Sequence, residues 1–204
     1  MRFASFFFLS FALSLFFVWS PPAQAATVSS GDLIKGSGAS VYYLGTNNKR
    51  YVFPNEKTYR TWYNDFSNVK TITDSELAAI MIGGNVTYRP GVKLVKVTTD
   101  PRVYAVARGG YLRWVPDEAT TRSLYGDTWA RHVEDLPDAF FVNYRNGEPV
   151  SASRPFTPSS EENAAPDINA DKFFDTIITD PVLPLNPSQA SSTTPSSTTS
   201  VPPT

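Results

Sequence analysis

The chain has 204 residues, a formal net charge of −1, one histidine and no cysteine. The absence of cysteine excludes disulfide staples, thiolate metal sites and a cysteine nucleophile. Between Ala26 and Val150 the chain has 15 Lys and Arg against 13 Asp and Glu, a balance without the dense basic face of a nucleic-acid-binding protein. We therefore expect no nucleic-acid partner and a fold that is held by packing alone.

The first 25 residues have the form of a secretory signal peptide. Arg2 supplies a positive charge, an apolar run follows from Phe3 to Trp19, and Ala23-Gln24-Ala25 is the small-x-small pattern that signal peptidase cuts. The run is at the short limit for a membrane anchor, and no second long apolar segment follows it. We expect a secreted or cell-surface protein with no membrane span after cleavage.

One 25-residue stretch of the chain occurs twice. Val41–Asp65 aligns without a gap with Val103–Asp127, and eight of the 25 pairs are identical, where unrelated segments would share about one or two. We interpret this as an internal duplication within residues 26–150. Repeat 1 spans about 31–89 and repeat 2 about 90–147.

The sequence of each copy predicts a β-hairpin followed by a short helix. Asn47-Asn48 and Gly109-Gly110 lie between short runs rich in Val, Tyr, Leu and Trp, and both pairs tolerate the positive φ of a two-residue type I′ turn. Asn55 and Asp117 then provide helix N-caps. Since neither copy is long enough to bury its sheet face alone, we expect two tandem hairpin–helix repeats packed as one small α+β domain.

Further local signals flank the hairpins. Leu33-Ile34-Lys35 matches Leu94-Val95-Lys96, which predicts an extra strand before each hairpin. Val69–Ile72 predicts another short strand after the first helix. Thr73-Asp74-Ser75-Glu76 is a capping box that opens a small helix.

The composition changes after Val150. Serine, threonine, proline and alanine dominate residues 151–204, with 2 Lys and Arg against 6 Asp and Glu. Such a sequence buries too little apolar surface to offset chain entropy, so we expect a disordered Ser/Thr/Pro-rich linker or tail. The apolar interruption Lys172–Ile178 leaves two interpretations open, a short docking segment or a chance apolar patch.

Groups that could catalyse a reaction are sparse. His132 lies in a stretch that matches no nucleophile elbow and no zinc motif. Glu56 and Glu118 are matched by the duplication and would suit a glycosidase, but each stands at a helix start, where the helix dipole already explains an acid. We expect no enzyme, no cofactor and no metal site. A glycan hydrolase using Glu118 and an Asp remains as a catalytic alternative.

Aromatic residues with basic neighbours form the candidate ligand-binding set, which is Tyr51, Trp62, Tyr63, Arg113, Trp114 and Trp129. Sugars stack their apolar CH faces on such rings, while polar groups fix their orientation. The 17 aromatics between residues 26 and 150 must also fill the core. The alternative is therefore that Trp62 and Trp114 are core residues.

Several long runs resemble a duplicated repeat of uncharacterised bacterial secreted and cell-surface proteins. The runs include VYYLG, KRYVFPNEKTY and VKTI in the first copy, and GGNVTYRPG, KLVKV and DPRVYAVA later in the chain. The resemblance covers roughly Gly31 to Gly147. It implies placement at the surface or envelope and a non-enzymatic role, and it carries over no catalytic residue.

The residues and the resemblance together predict a secreted, non-catalytic cell-surface module that binds cell-wall or surface polysaccharide. The alternative is a structural or protein-interaction component of the cell envelope or surface layer, whose partners would be envelope proteins.

Overall fold

The structure is a computed structural model that describes residues 27–174. The predicted signal peptide and residues 175–204 lie outside the described residues. The described chain forms ten strands in two five-stranded sheets, six short α-helices and one 3₁₀ helix. The predicted α+β class is confirmed.

The first sheet has the strand order β4-β1-β2-β3-β5. Its strands are β1 (Leu33–Lys35), β2 (Tyr42–Leu44), β3 (Arg50–Val52), β4 (Val69–Thr71) and β5 (Ile82–Asn85). Strands β1, β2 and β3 pair antiparallel, while β4 adds parallel to β1 and β5 adds parallel to β3. Two helices accompany this sheet, α1 (Glu56–Arg60) and α2 (Asp74–Ala79).

The second sheet has the strand order β10-β8-β7-β6-β9. Its strands are β6 (Leu94–Val97), β7 (Val103–Ala107), β8 (Tyr111–Val115), β9 (Val133–Leu136) and β10 (Arg145–Asn146). Its helices are α3 (Glu118–Tyr125), the 3₁₀ helix (Trp129–His132) and α4 (Asp138–Phe141). Read from β9, this order corresponds strand for strand to the first sheet, with the same parallel and antiparallel pairings.

The helix starts are fixed by the residues that the sequence indicates. The Asn55 side chain accepts the N–H of Thr58 at 2.8 Å, and that of Asp117 accepts the N–H of Thr120 at 2.7 Å. Both bonds of the capping box at Thr73 are present. These contacts satisfy N–H groups that the first turn of a helix otherwise leaves without a partner.

The hairpin connections are longer than the predicted two-residue turns. In the first hairpin Leu44 pairs with Arg50, so five residues connect β2 and β3. In the second hairpin Ala107 pairs with Tyr111, so three residues connect β7 and β8. Gly109 and Gly110 both have positive φ, as the prediction required. In the first hairpin Asn48 has positive φ, but Asn47 does not. The longer connections present backbone N–H groups that the C-terminal part of the chain binds.

Residues 151–174, which we call the C-terminal segment, are folded, so the predicted disordered tail is wrong for this part. The segment contains α5 (Pro158–Ala164) and α6 (Ile168–Asp171). Phe156 is 4% exposed and Ile168 is fully buried, while the Phe174 ring centroid lies 4.9 Å from that of Tyr51. The segment folds despite its polar composition because these few apolar residues are all placed against the sheets.

The C-terminal segment also bonds to both hairpin connections. The Asn169 Oδ1 accepts the N–H of Thr46 at 3.0 Å, and the Asp171 Oδ1 accepts the N–H of Gly109 at 2.9 Å. Asp171 is fully buried, and this burial raises the pKa of its carboxyl. Of the interruption Lys172–Ile178, Phe174 packs on Tyr51, and residues 175–178 lie outside the described residues.

Both sheets are covered on two faces. In the first sheet one face packs under α1 and α6, with Leu33, Tyr43, Tyr51, Phe53, Tyr59 and Ile168, and the other packs under α2, with Ile34, Leu44, Ile72 and Leu77. In the second sheet one face meets α4, with Val95, Tyr104, Val106, Leu112 and Phe141, and the other holds Leu94, Ala105, Val115, Trp129 and Phe156. Among residues 27–174, no helix is long and apolar enough to cross a membrane.

Candidate functional site

The strand β8 presents Trp114 at the end of a half-covered sheet face. Side chains alternate along a strand, so Leu112 and Trp114 share the face that meets α4. Leu112 is 1% exposed, whereas Trp114 is 36% exposed. The cross-strand partner of Trp114 is Tyr104 on β7. The indole therefore forms the outer end of an otherwise packed aromatic and aliphatic face.

A groove of about 590 Å³ opens beside this indole, and we call it the Trp114 groove. Its apolar wall consists of Val97, Tyr104, Leu112, Trp114 and Phe141, and its polar groups include Asp100, Arg102, Asp138 and Asn146. Ligand sites in proteins combine an apolar wall with a few placed polar groups in this way.

Asp100 is the most firmly oriented polar group of the groove. Its carboxylate accepts the Tyr104 hydroxyl at 3.0 Å and the Arg102 Nε–H at 2.8 Å. The Arg102 guanidinium forms an ion pair with it at 2.6 Å and lies 5.7 Å from the Tyr104 ring centroid. The hydrogen bonds from Arg102 hold the pKa of the Asp100 carboxyl well below its usual range. The groove thus contains an ionised carboxylate whose orientation is fixed before any ligand arrives.

Asp138 is a second carboxylate at the groove, in the first turn of α4. The Thr99 hydroxyl donates to its Oδ1 at 3.3 Å. Carboxylates and an amide beside an exposed indole suit a ligand with hydroxyl donors and an apolar face. A sugar ring has both features.

Three of the six predicted site residues lie in the first half of the chain, away from the groove. Tyr51 is 5% exposed, so its ring is not available for stacking. Trp62 is half-buried, and its Nε1–H donates to the carbonyl oxygen of Thr87 at 2.9 Å. Tyr63 packs with its ring centroid 5.3 Å from that of Tyr59, and burial raises the pKa of its phenol. Trp62 therefore packs within the fold, which is the alternative to ligand binding that the sequence left open for it.

Arg113 and Trp129 lie on the opposite face of the second sheet from Trp114. Trp129 is half-buried in the 3₁₀ helix and packs against a cluster that contains Leu94 and Phe156. The Arg113 guanidinium donates to four backbone carbonyl oxygens, those of Glu148, Pro149, Arg154 and Pro155. The six predicted residues therefore do not form one surface, and of the six only Trp114 lines the groove.

The polar groups of the groove were missed by sequence reasoning. Asp100 and Pro101 indicate a turn, and nothing local shows that Arg102 and Tyr104 both bond to Asp100. Asp138 follows 38 residues later and reaches the groove through the β6–β9 pairing, in which Val97 lies opposite Leu136. A DPRxY stretch ahead of a strand was the one available signal.

The remaining catalytic candidates have structural partners. Glu56 pairs with Arg60 at 3.0 Å and Glu118 pairs with Arg122 at 2.7 Å, both on exposed helix surface. The His132 Nδ1 lies 3.4 Å from the Val92 carbonyl oxygen. Within residues 27–174, no group of three His, Asp and Glu side chains is placed to hold a metal ion.

Comparisons with protein-family models, curated proteins and solved structures find no match for this chain. The geometry of the Trp114 groove therefore carries the functional argument.

Proposed function

We propose that this protein is a non-catalytic, secreted or cell-surface module that binds polysaccharide in the Trp114 groove. The observation that carries the proposal is an indole 36% exposed at the end of an apolar wall, beside the fixed carboxylate of Asp100. The indole would stack on the CH face of one sugar, while Asp100, Asp138 and Asn146 would bond to its hydroxyls.

The electrostatics of Asp100 argue against a role as the general acid of a glycosidase. A glycosidase needs one carboxyl with a raised pKa to protonate the leaving oxygen. The pKa of Asp100 is lowered by its hydrogen bonds to Arg102, so this carboxyl holds no proton to donate near neutral pH. Its role is that of a hydrogen-bond acceptor.

The proposal includes the internal duplication and the surface location. Eight identities in 25 aligned positions and matching strand orders both support one duplicated unit. The position of Trp114 is taken by Val52 in the first copy, so the groove is a property of the second copy. The signal-peptide pattern and the resemblance to bacterial surface proteins support a place outside the cytoplasm.

An apolar surface favours the alternative of a protein-interaction component. Met81 is 67% exposed, Ile82 62% and Val142 82%. The Asn85 Nδ2–H donates to the Asn143 Oδ1 at 2.7 Å, which brings the end of β5 beside the residue after Val142. Met81 and Ile82 are adjacent exposed apolar residues, and such residues are typical of contacts with other proteins.

The test is co-sedimentation of the purified protein with insoluble cell-wall polysaccharide, using wild type, Trp114→Ala and Phe66→Ala. Phe66 is 42% exposed, stacks on Tyr59 and lies in the first copy, so it is a matched loss of a partly exposed ring. Stacking on one aromatic ring contributes about 1 kcal/mol, so Trp114→Ala should weaken retention roughly five- to tenfold. Phe66→Ala should pellet as wild type does.

Equal retention of Trp114→Ala and wild type would contradict the groove as the binding site. If neither variant nor wild type pellets, while Ile82→Ser removes binding to an envelope protein, the interaction alternative is correct. Circular dichroism of each variant shows that its fold is intact.

A further inference from the structure

A second cavity lies on the other face of β8, about 680 Å³ in volume, and we call it the arginine pocket. Its lining includes Arg108, Tyr111, Arg113, Arg154, Glu148 and Glu161. Arg145 stands at its rim, with the guanidinium 5.7 Å from the Tyr111 ring centroid. Tyr111 is 36% exposed, so a partly exposed ring and three guanidinium groups line one opening, and the fourth guanidinium lies beside that ring.

None of the four arginines forms a direct ion pair within the described part of the chain, although the buried Asp171 carboxyl attracts the charge of Arg108. The nine ion pairs among residues 27–174 use other cations, so none of these four is paired with a carboxylate. Arg113 donates to carbonyl oxygens, which orient its guanidinium without cancelling its charge. Arg108 donates only its Nε–H, to the Ala170 carbonyl oxygen at 2.7 Å, so its two terminal nitrogens have no protein acceptor.

The acidic groups at the pocket are fewer than the basic ones. Glu148 and Glu161 line it, and the Glu161 Oε2 already accepts the backbone N–H of Arg108 at 2.8 Å. The pKa of the nearby Lys172 is lowered by burial; Asp171 opposes this shift, and the charge of Arg145 adds to it. The local field is therefore positive and favours an anion.

The arginine pocket adjoins the Trp114 groove at the sheet edge. Asn146 and Gly147 line both cavities, and Tyr111 and Trp114 are three residues apart on β8, about 10 Å along the strand. A polymer of sugars is long enough to reach from one cavity to the other around this edge. Guanidinium groups bind carboxylate and phosphate with paired N–H donors.

We propose that the arginine pocket binds the anionic group of an acidic polysaccharide whose neighbouring sugar occupies the Trp114 groove. This inference rests on the proposed function for the groove and adds the chemical class of its ligand. The shared chemistry is an oxyanion, which a uronate carboxylate or a phosphate diester supplies.

The test uses three soluble polymers with the full-length protein, in fluorescence anisotropy titrations. Polygalacturonate carries a carboxylate on each sugar, its fully methyl-esterified form has the same backbone without the charge, and inorganic polyphosphate supplies phosphate without a sugar. The variant is Arg145→Gln/Arg154→Gln, because neither side chain donates a hydrogen bond within the described residues. The charge-matched control is Lys35→Gln/Arg131→Gln, with one change in the first sheet and one before β9.

The expected result is tighter binding of an anionic polymer than of the ester, weakened by added salt. The arginine variant should bind that polymer about tenfold more weakly, since two charge-assisted contacts are lost, while the control binds as wild type does. If polygalacturonate binds more tightly than polyphosphate, the bound group is a carboxylate. If polyphosphate binds more tightly, the bound group is a phosphate. Trp114→Ala should weaken binding of the ester and leave polyphosphate binding unchanged.

Equal binding of polygalacturonate and its ester, with no binding of polyphosphate, would overturn the anion pocket and leave the groove proposal in place. Loss of binding in the control to the same extent as in the arginine variant would also overturn it, because net charge alone would then explain the effect. The link between the two cavities would be overturned if anion binding depends on the arginines while Trp114→Ala has no effect on the binding of any sugar polymer.

Discussion

Replacement of Ile168 by alanine should destabilise the whole domain, although a composition argument places this residue in a disordered tail. Ile168 is fully buried and belongs to the cluster of Leu33, Tyr43 and Tyr51 beneath the first sheet. Its helix α6 has four residues and is held by the Asp167 N-cap, whose carboxylate accepts the Ala170 N–H at 2.8 Å. A helix this short has little stability of its own, so its packing must hold it in place.

The expected cost of Ile168→Ala is about 3 kcal/mol, since the lost methyl and methylene groups leave a cavity between a sheet and a helix. For a domain of this size that loss lowers Tm by roughly 6–12 °C. The matched control is Ile82→Ala, because Ile82 is 62% exposed and its truncation should cost less than about 0.5 kcal/mol. The measurement is urea unfolding followed by circular dichroism, with Tm by calorimetry.

Equal stability of the Ile168→Ala and Ile82→Ala variants would show that the C-terminal segment does not belong to the core. A large loss of stability would place the end of the folded domain beyond Ile168 instead of at Val150.

Two further predictions concern the core. Gly83→Ala should destabilise the protein by about 1–3 kcal/mol, because an added Cβ would overlap the Tyr51 ring. The control Gly38→Ala should be nearly neutral in the same urea titration, because no atom lies within 4 Å of its added Cβ. Burial raises the pKa of Tyr88 to about 12 and also raises the pKa values of Tyr63 and Tyr144. The unfolded chain loses these protons near pH 10, so the stability that these three tyrosines contribute should be fully present below that pH and be lost as the pH rises from 10 towards 12. Ionisation of Tyr63, Tyr88 or Tyr144 near pH 10 in the folded protein, followed by NMR, would contradict this.

Local signals predicted much of the fold. The N-caps at Asn55 and Asp117 and the capping box at Thr73 depend on residues within three positions of each other, so the sequence alone indicates them. The strands before each hairpin were also predicted, since Leu33–Lys35 and Leu94–Val97 repeat the same apolar pattern. The α+β class followed from these elements.

Long-range packing could not be predicted in the same way. Phe156, Ile168 and Phe174 are isolated apolar residues in a polar stretch, and only the finished sheets give them a surface to cover. The open face of the site could not be predicted either. The alternation of side chains along β8 shows that Arg113 and Trp114 point to opposite faces of the sheet, but it does not show which of the two faces stays open. The C-terminal segment covers the Arg113 side, and its Arg154 and Pro155 carbonyl oxygens bind that guanidinium.

The most direct test of the polysaccharide proposal is an NMR titration of the indole N–H signals with soluble fragments of the retained polysaccharide. Trp19 lies in the predicted signal peptide, which leaves Trp62, Trp114 and Trp129 as the indoles to assign by single Trp→Phe variants. We predict that the Trp114 signal shifts with saturation while the other two remain in place. A shift confined to Trp62 or Trp129, or no shift at fragment concentrations that block sedimentation, would contradict it.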